Sequence, residues 1–263
     1  MNTMMNERQT RIRDLLFDRG ELQVNDIAEH LGASLATVRR DLTDLEKTGV
    51  IVRTHGAARI AAEMRSEVAF GAREQHNLSA KRLIASAAAE HLREGTTVFL
   101  DAGTTVLQLA RKIKLMSIPI TVFTNGIVVA QELANIDRVT VCLLGGRLRP
   151  QNMSMVGPLA QAMLDNIYFD QLFLGASAIA DDGWITSHDA EEARVNQRMV
   201  ERAKQTFVLC DAGKLGERAT YGVLRLAEPL HLITSGALSA PLLSHIRDSA
   251  TTLTVANGDG SNG

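Results

Sequence analysis

The sequence predicts an α/β protein in two parts: a small, mostly helical N-terminal module and a larger α/β domain built on a mostly parallel sheet. Up to about residue 49, apolar residues recur at helical spacing between glycines. Further along, short apolar runs alternate with helical segments, which is typical of a parallel sheet covered on both faces. A length of 263 residues is long for one domain and comfortable for two.

The N-terminal module is predicted to contain three helices. The first covers residues 6–19 and stops at Gly20, and a second, short helix ends at Gly32. Ser34 can cap a third helix that runs to about Gly49. The apolar face of that helix consists of Val38, Leu42 and Leu45.

A wing is predicted after the third helix, because the run VIVRTHGAARI alternates like a strand and turns at Gly56. We therefore predict a winged helix-turn-helix over residues 1–60. Residues 61–76 are Ala-rich and charged without firm periodicity, and are interpreted as a linker or hinge helix. The α/β domain is predicted over 77–256, followed by a disordered tail at 257–263.

The α/β domain is predicted to begin with an Ala-rich helix at 79–93. Strand, loop and helix then follow twice, and the third strand is followed by a loop and the next strand. A charged helix starts at about Ala190, and a last helix starts at Pro241. The predicted strands are TTVFLD, PITVFT, VTVCLLGG, DQLFLGA, TFVLCDAG, HLITSG and TTLTV.

Composition and charge exclude several classes of protein. A chain with 45% hydrophobic and 22% charged residues is neither disordered nor fibrous. It has no apolar leader and no apolar stretch long enough to cross a membrane, so we expect a cytoplasmic protein with no membrane partner. The net charge of -2 does not by itself indicate nucleic-acid binding, which therefore depends on where the basic residues lie.

The third predicted helix carries a candidate nucleic-acid interface. Such a helix fits the major groove, where arginine can fork onto guanine or phosphate and threonine can contact a base edge. Basic wing residues would add phosphate contacts. With the capping serine, the candidates on the helix are Ser34, Ala36, Thr37, Arg39, Arg40 and Thr43, and those on the wing are Arg53, His55 and Arg59. The structural alternative is that the helix arginines pair with Asp41, Asp44 and Glu46.

This module resembles that of the DeoR family of bacterial regulators. The family has a Ser-x-x-Thr-[Ile/Val]-Arg-Arg-Asp-Leu recognition helix and an Arg-x-His-Gly-Gly-Ala wing. The matching residues here are Ser34, Thr37, Val38, Arg39, Arg40, Asp41, Leu42, Arg53, His55, Gly56 and Ala58, with Ala57 in place of the second wing glycine. The expected partner is double-stranded operator DNA.

Three polar loops that follow predicted strands indicate a ligand site, because ligands of open α/β sheets bind at the carboxyl ends of strands. These loops are Asp101–Thr105, Thr124–Gly126 and Gly145–Arg147. Gly103 permits close backbone approach, while Thr104 and Thr105 bring hydroxyls and a helix N-terminus that suit a phosphate. Arg147 or Lys214 would supply the opposite charge.

The second half of the chain also resembles the DeoR family, through a strand ending in Gly175, an acidic helix, and then Asp211 and Lys214. This resemblance implies a fold related to ribose-5-phosphate isomerase and an effector that is a phosphorylated sugar or polyol. The effector-binding positions carried over are Asp101, Gly103, Thr104, Thr105, Thr124, Asn125, Gly145, Gly146, Glu191 and Lys214.

We therefore predict a repressor of a sugar or polyol catabolic operon, acting as a homo-oligomer (dimer or tetramer) and released by its effector. An isomerase-like enzyme is the alternative, with acids and a lysine moving protons, but it leaves residues 1–60 unexplained. A protein-interaction module is a third option, which does not explain the outward Thr37, Arg39 and Arg40. No catalytic residue, cofactor or metal site is predicted.

Overall fold

The computed structural model describes residues 6–54, 56–61, 65–227 and 229–257. The chain forms two compact units, Met1–Arg73 and Glu74–Gly263. Within the described ranges, no helix is both long enough and apolar enough to cross a lipid bilayer. The tail predicted to be disordered lies, from residue 258 onwards, outside the described residues.

The first unit has the predicted winged helix-turn-helix fold. Its elements are α1 (Glu7–Arg19), β1 (Leu22–Gln23), α2 (Val24–Leu31), α3 (Leu35–Lys47), β2 (Ile51–Arg53) and β3 (Ala57–Ile60). Gly32 ends α2 in the left-handed conformation, with φ 60°, which glycine adopts without a steric penalty. The strands form an antiparallel sheet in the order β1-β3-β2. A single apolar core joins the three helices to this sheet through Ile12, Ile27, Leu42 and Ile51.

The second unit alternates helices and strands as predicted, except that Pro158–Leu164 forms a helix where only a loop was predicted. Its helices are α5 (Leu78–Ala89), α6 (Thr104–Ile113), α7 (Ile127–Leu133), α8 (Pro158–Leu164), α9 (Ala190–Arg202) and α10 (Ala240–Arg247), preceded by α4 (Arg65–Gln75), which spans the boundary between the units. Its strands are β4 (Thr97–Leu100), β5 (Ile120–Thr124), β6 (Val139–Leu143), β7 (Arg147–Arg149), β8 (Ser154–Val156), β9 (Phe169–Gly175), β10 (Ala178–Ile179), β11 (Trp184–Ser187), β12 (Ala203–Asp211), β13 (Tyr221–Arg225), β14 (His231–Ser235) and β15 (Thr252–Val255).

The strand order creates a crevice in the main sheet. Among the described residues, seven parallel strands run in the order β15-β14-β12-β9-β4-β5-β6. The chain proceeds from β4 to one edge of the sheet, then returns to β9 on the other side of β4 and proceeds to the opposite edge. The carboxyl ends of β4 and β9 therefore form the topological switch point, where ligands of such sheets bind.

Apolar side chains cover both faces of this sheet, which confirms the predicted α/β class. Phe99 and Val208 pack with residues of α8, α9 and α10 in one core cluster. Phe173 and Phe207 stack with ring centroids 4.8 Å apart, and Phe207 also meets His91, just after α5, at 4.9 Å. Since neighbouring residues of a strand point to opposite faces, α5 and α9 cover different sides of the sheet.

Two small β elements are absent from the sequence-based prediction. The hairpin of β7 and β8 follows the edge strand β6, and β10, β11 and β13 form a separate antiparallel sheet. Their strands have two to five residues, and sequences such as Arg-Leu-Arg and Ser-Met-Val do not form the apolar runs that predicted most strands of the main sheet. The stretch interpreted as a linker or hinge helix contains α4.

Candidate functional site

Helix α3 presents its predicted DNA-facing residues on the surface of the first unit. Ser34 caps the helix, because its Oγ accepts a hydrogen bond of 3.2 Å from the backbone N–H of Thr37. The opposite face, which carries Val38, is fully buried. Ala36, Arg39 and Arg40 are exposed, while Thr37 and Thr43 are half-buried. The outward orientation expected from the helical spacing is present.

The acids of α3 do not neutralise its two adjacent arginines. Asp41 pairs with Arg8 at 2.5 Å, Asp44 with Lys47 at 3.6 Å, and Glu46 with Arg53 at 3.9 Å. Within the described part of the chain, Arg39 and Arg40 have no ion-pair partner. Their guanidinium groups are therefore available to phosphate or base edges, as a nucleic-acid interface requires.

The wing residues face different helices. Arg53 Nη1 donates to Thr43 Oγ1 at 3.2 Å, and that hydroxyl donates to the Arg39 carbonyl at 2.8 Å, so Arg53 connects β2 to α3. Arg59 lines a cavity of about 230 Å³ at the end of α1, so the structure does not bring it to the side of α3. His55 lies outside the described residues.

In the second unit, Asp101 lies at the switch point of the main sheet. It follows β4, is only 4% exposed, and its Oδ2 accepts a hydrogen bond of 3.1 Å from the N–H of Gly175 at the end of β9. Burial and the neighbouring charge of Glu192 raise the pKa of Asp101 to about 7, against the opposing hydrogen bonds from Ala102, Gly175 and Asn125. A titratable group with a perturbed pKa in a crevice indicates a functional site.

The N-terminus of α6 adjoins this aspartate. Gly103 occupies the N-cap position, where it provides no side-chain cap for the first N–H groups of the helix. A Cβ at Gly103 would lie 3.5 Å from the Cα of Gly175, so the two loops are in close contact. Thr104 is buried, and the buried Thr105 Oγ1 and Gln108 Nε2 have no hydrogen-bond partner among the described residues. Uncapped N–H groups of this kind suit an anion.

The loop after β5 packs directly against the loop after β4. Thr124 Oγ1 accepts a hydrogen bond of 3.0 Å from the N–H of Gly126, so this hydroxyl shapes the turn. A Cβ at Gly126 would lie 2.9 Å from the Cα of Ala102, a distance that only glycine tolerates here. Asn125 Oδ1 and Ser154 Oγ are buried without a partner among the described residues. These two oxygens can serve a bound ligand.

Lys214 supplies a positive charge on the other side of the crevice. Its Nζ donates to the Ala176 carbonyl, just beyond β9, at 3.0 Å, and lies 3.9 Å from Asp211 Oδ2. Asp211 Oδ1 in turn accepts a hydrogen bond of 2.9 Å from Asn77 Nδ2. Asp101 and Lys214 therefore both lie at the carboxyl ends of the adjacent strands β4, β9 and β12.

Four of the predicted effector residues gather at the β7–β8 hairpin, which adjoins the loop after β5, since the Met155 N–H donates to the Asn125 carbonyl at 2.7 Å. Gly145 and Gly146 follow the edge strand β6, which is separated from β4 by β5. Gly146 has φ 147°, and a Cβ there would lie 2.8 Å from the carbonyl oxygen of Val156, so this glycine is needed for the hairpin. Arg147 forms an ion pair with Glu191 of α9.

Glu192, the acid whose charge helps to raise the pKa of Asp101, is not among the site residues predicted from the sequence. Glu192 is 7% exposed and accepts hydrogen bonds from Asn152 Nδ2 at 2.8 Å and Ser187 Oγ at 2.7 Å. Its neighbour Glu191 is the half-buried partner of the hairpin arginine. Both acids open the same helix, but Glu192 lies three and seven residues before the buried Val195 and Met199, so helical spacing is the signal that could have identified it. The phase of α9 on the sheet decides which one is buried.

A buried lysine was also missed. Lys81 on α5 is 2% exposed, and its Nζ donates to the carbonyl of His76 at 2.7 Å. It lies one helical turn after Asn77, the residue that hydrogen-bonds Asp211. The signal in the sequence was a single lysine in an Ala-rich helix, which is ordinary on a surface helix and indicates burial only when the helix packs.

Both units match models of known families. Residues 8–64 match the DeoR-like helix-turn-helix domain, and residues 76–236 match the DeoR C terminal sensor domain. The two matches correspond to the unit that carries α3 and to the unit that carries the crevice at Asp101.

Relatives match over nearly the whole chain. The chain is 38% identical to the HTH-type transcriptional regulator GlpR of Haloferax volcanii, over 94% of this chain and 96% of that protein. It is 33% identical to the lactose phosphotransferase system repressor of Streptococcus mutans, over 87% and 91% respectively. A solved ribose 5-phosphate isomerase from Methanocaldococcus jannaschii is 14% identical with TM-score 0.41, covering 53% of this chain and 55% of that chain. The chain belongs to the DeoR family of transcriptional regulators, with a helix-turn-helix domain followed by a sensor domain.

Proposed function

We propose that this regulator represses an operon of sugar or polyol catabolism and is released from its operator by a phosphorylated sugar or polyol. The operator is bound through α3, whose exposed Arg39 and Arg40 have no ion-pair partner in the described part of the chain. A homo-oligomer, dimer or tetramer, would present two such helices to successive major-groove half-sites. The relative named as a lactose phosphotransferase system repressor supports control of sugar use.

The proposed effector site rests on the position of Asp101 at the switch point of the main sheet. The phosphate would lie at the uncapped N-terminus of α6, with Lys214 Nζ as its countercharge. The hydroxyls of the sugar or polyol would bond Asp101, Asn125 and Thr105, which include the buried polar atoms that have no partner among the described residues. A ligand of this class therefore satisfies groups that are costly to leave unpaired.

Release requires that the effector favour a state of the protein that binds DNA weakly, because a ligand with equal affinity for both states shifts nothing. A chain of contacts leads from the site towards the start of the sensor unit. Lys214 lies 3.9 Å from Asp211, which accepts from Asn77, two residues after α4 ends. We propose that binding at Lys214 moves this segment and thereby α4, which continues into the DNA-binding unit.

Catalysis is not part of the proposal. The relatives that match over most of this chain are transcriptional regulators. An acid and a lysine in such a site can bind and orient a sugar phosphate without catalysing its conversion.

The test is operator binding by the full chain, on DNA upstream of its own gene, titrated with a panel of sugar and polyol phosphates. We expect one compound to release the operator. Asp101→Ala should bind operator normally and lose the response, whereas the exposed Asp137→Ala should respond like the parent. Turnover of a panel member without DNA binding would refute the proposed function, and normal induction of Asp101→Ala would refute the placement of the site.

A further inference from the structure

The exposed N-terminal end of α3 carries two apolar residues. Leu35, the first residue of the helix, is 40% exposed, and Ala36 beside it is exposed. Among the described residues of the first unit, Leu35 and Val52 are the exposed large hydrophobic residues, while others such as Leu31 are only partly buried. The branched side chain of Leu35 therefore presents its two methyl groups at the N-terminal end of α3. This is the end that contacts base edges in helix-turn-helix proteins.

The hydroxyls on this face are largely engaged within the protein. Ser34 Oγ accepts from the Thr37 N–H, and the two hydroxyls are 2.8 Å apart, so one hydroxyl hydrogen binds the other oxygen. Thr43 Oγ1 donates to Arg39 and accepts from Arg53. The serine and threonine pair at the start of α3 thus keeps one free hydrogen, and Thr43 keeps none.

Besides that one hydroxyl hydrogen, two kinds of group remain for direct readout. Arg39 and Arg40 offer forked N–H donors, which match the O6 and N7 acceptors of guanine. Leu35 and Ala36 offer only methyl groups, and the base edge that matches a methyl in the major groove is the 5-methyl of thymine. We propose that Leu35 and Ala36 determine operator specificity by contacting thymine methyl groups. This proposal rests on the proposed DNA-binding function of α3.

The helix geometry also predicts the spacing between the contacted bases. Leu35 and Arg39 are four residues apart on one side of α3, as are Ala36 and Arg40. Four residues of helix span about 6 Å, close to two base steps of about 3.4 Å each. Each half-site should therefore contain a methyl-dependent thymine about two steps from a guanine contacted by arginine.

The experiment removes the methyl groups from the DNA one at a time. The full chain is footprinted on DNA upstream of its own gene, and each thymine of the footprint is replaced singly by deoxyuridine, which differs only in lacking the methyl. We expect about a fourfold loss of affinity for each methyl contact removed. The loss should occur at one or two thymines per half-site and be small elsewhere.

Protein variants identify the residue responsible. In Leu35→Gln, replacement by deoxyuridine should no longer matter at one sensitive thymine, and Ala36→Ser should act likewise at another. Leu115→Gln, which changes a leucine that is 83% exposed in the sensor unit, should keep the full methyl dependence. Both changes on α3 are at exposed positions, and unchanged thermal unfolding would show that the fold is kept.

Two results would overturn the proposal. Sequence-specific operator binding without any methyl-dependent thymine would refute the readout by Leu35 and Ala36 while leaving DNA binding by α3 intact. The same conclusion follows if both variants keep the methyl dependence of the parent chain. Absence of sequence-specific binding altogether would refute the proposed function itself.

Discussion

The sensor site contains two buried carboxyl groups. Asp101 and Glu192 are both nearly inaccessible, yet only Glu192 is well supplied with side-chain donors, from Asn152 and Ser187. Asp101 is desolvated and close to the charge of Glu192, so its pKa rises to about 7. Near neutral pH this carboxyl group therefore both donates and accepts hydrogen bonds, as polyhydroxylated ligands do.

Stability should depend on this proton. The pKa of Asp101 is about 7 in the folded chain and about 3.9 in the unfolded chain, so the folded state binds the proton more tightly. The contribution of Asp101 protonation to the free energy of unfolding is complete below pH 4 and is lost as the pH rises to 7. Between pH 5 and 7, wild type should lose about 2 kcal/mol relative to Asp101→Asn. Urea unfolding at several pH values measures this difference, with Asp137→Asn as the exposed control; parallel curves for wild type and Asp101→Asn would contradict it.

A single exposed arginine should account for much of the operator affinity. Arg40→Ala should weaken operator binding about 5- to 150-fold, because a bidentate base contact contributes about 1 to 3 kcal/mol. Arg247→Ala on α10 removes the same charge from an exposed position in the sensor unit and should leave affinity nearly unchanged. Gel-shift titration at fixed salt measures both. An effect of Arg40→Ala no larger than that of the control would exclude Arg40 from base readout.

Whole elements are positioned by a few polar contacts and close approaches. Helix α3 is held on one side by the Arg8–Asp41 pair and on the other by Arg53 of β2. In the sensor unit, the loops after β4 and β5 approach so closely that Gly126 has no space for a side chain. The arrangement of Asp101 relative to Asn125 therefore depends on the packing of two loops.

Adding one methyl group between these loops should disturb the site. Gly126→Ala would place its Cβ 2.9 Å from a backbone atom of Ala102, so one loop must move. We expect a loss of about 1 to 3 kcal/mol in the free energy of unfolding and a much weaker effector response. Gly71→Ala on α4, where nothing lies within 4 Å of the added Cβ, is the matched control. Wild-type stability and effector affinity in Gly126→Ala would contradict this account.

At the scale of the whole molecule, the effector and the operator must influence each other equally. If the effector lowers operator affinity by some factor, the operator lowers effector affinity by the same factor, typically about 5 to 150. The contact between Asn77 and Asp211 lies on the proposed route between the sites. Asn77 has φ 55°, a conformation that glycine also adopts readily.

Asn77→Gly should therefore reduce the coupling while preserving the backbone. It removes the amide that bonds Asp211, so we expect both ligands to bind but to influence each other less than in the parent chain. Reciprocal titrations, operator with and without effector and the reverse, measure the factor. Asn166→Gly, at an exposed asparagine just after α8, is the control. Unchanged coupling in Asn77→Gly would place the route elsewhere.

By itself the sequence determined the two-part organisation, the order of the long elements and the family. Helical spacing, glycine stops and apolar strands are local features, and they depend on residues close together in the chain. It also placed Arg39 and Arg40 on the outside of α3, because the buried positions of one helix determine its exposed ones.

Only the tertiary structure decided which residues meet at the sensor site. Glu192 lies close enough to Asp101 for its charge to raise the pKa of that group, Lys214 adjoins Ala176, and Asn77 binds Asp211 across 134 residues of chain. These contacts depend on strand order, since β9 returns to lie beside β4 and creates the crevice there. Likewise, β11 and β13 pair although α9 and β12 lie between them in the chain, so their own residues carry no signal of this pairing.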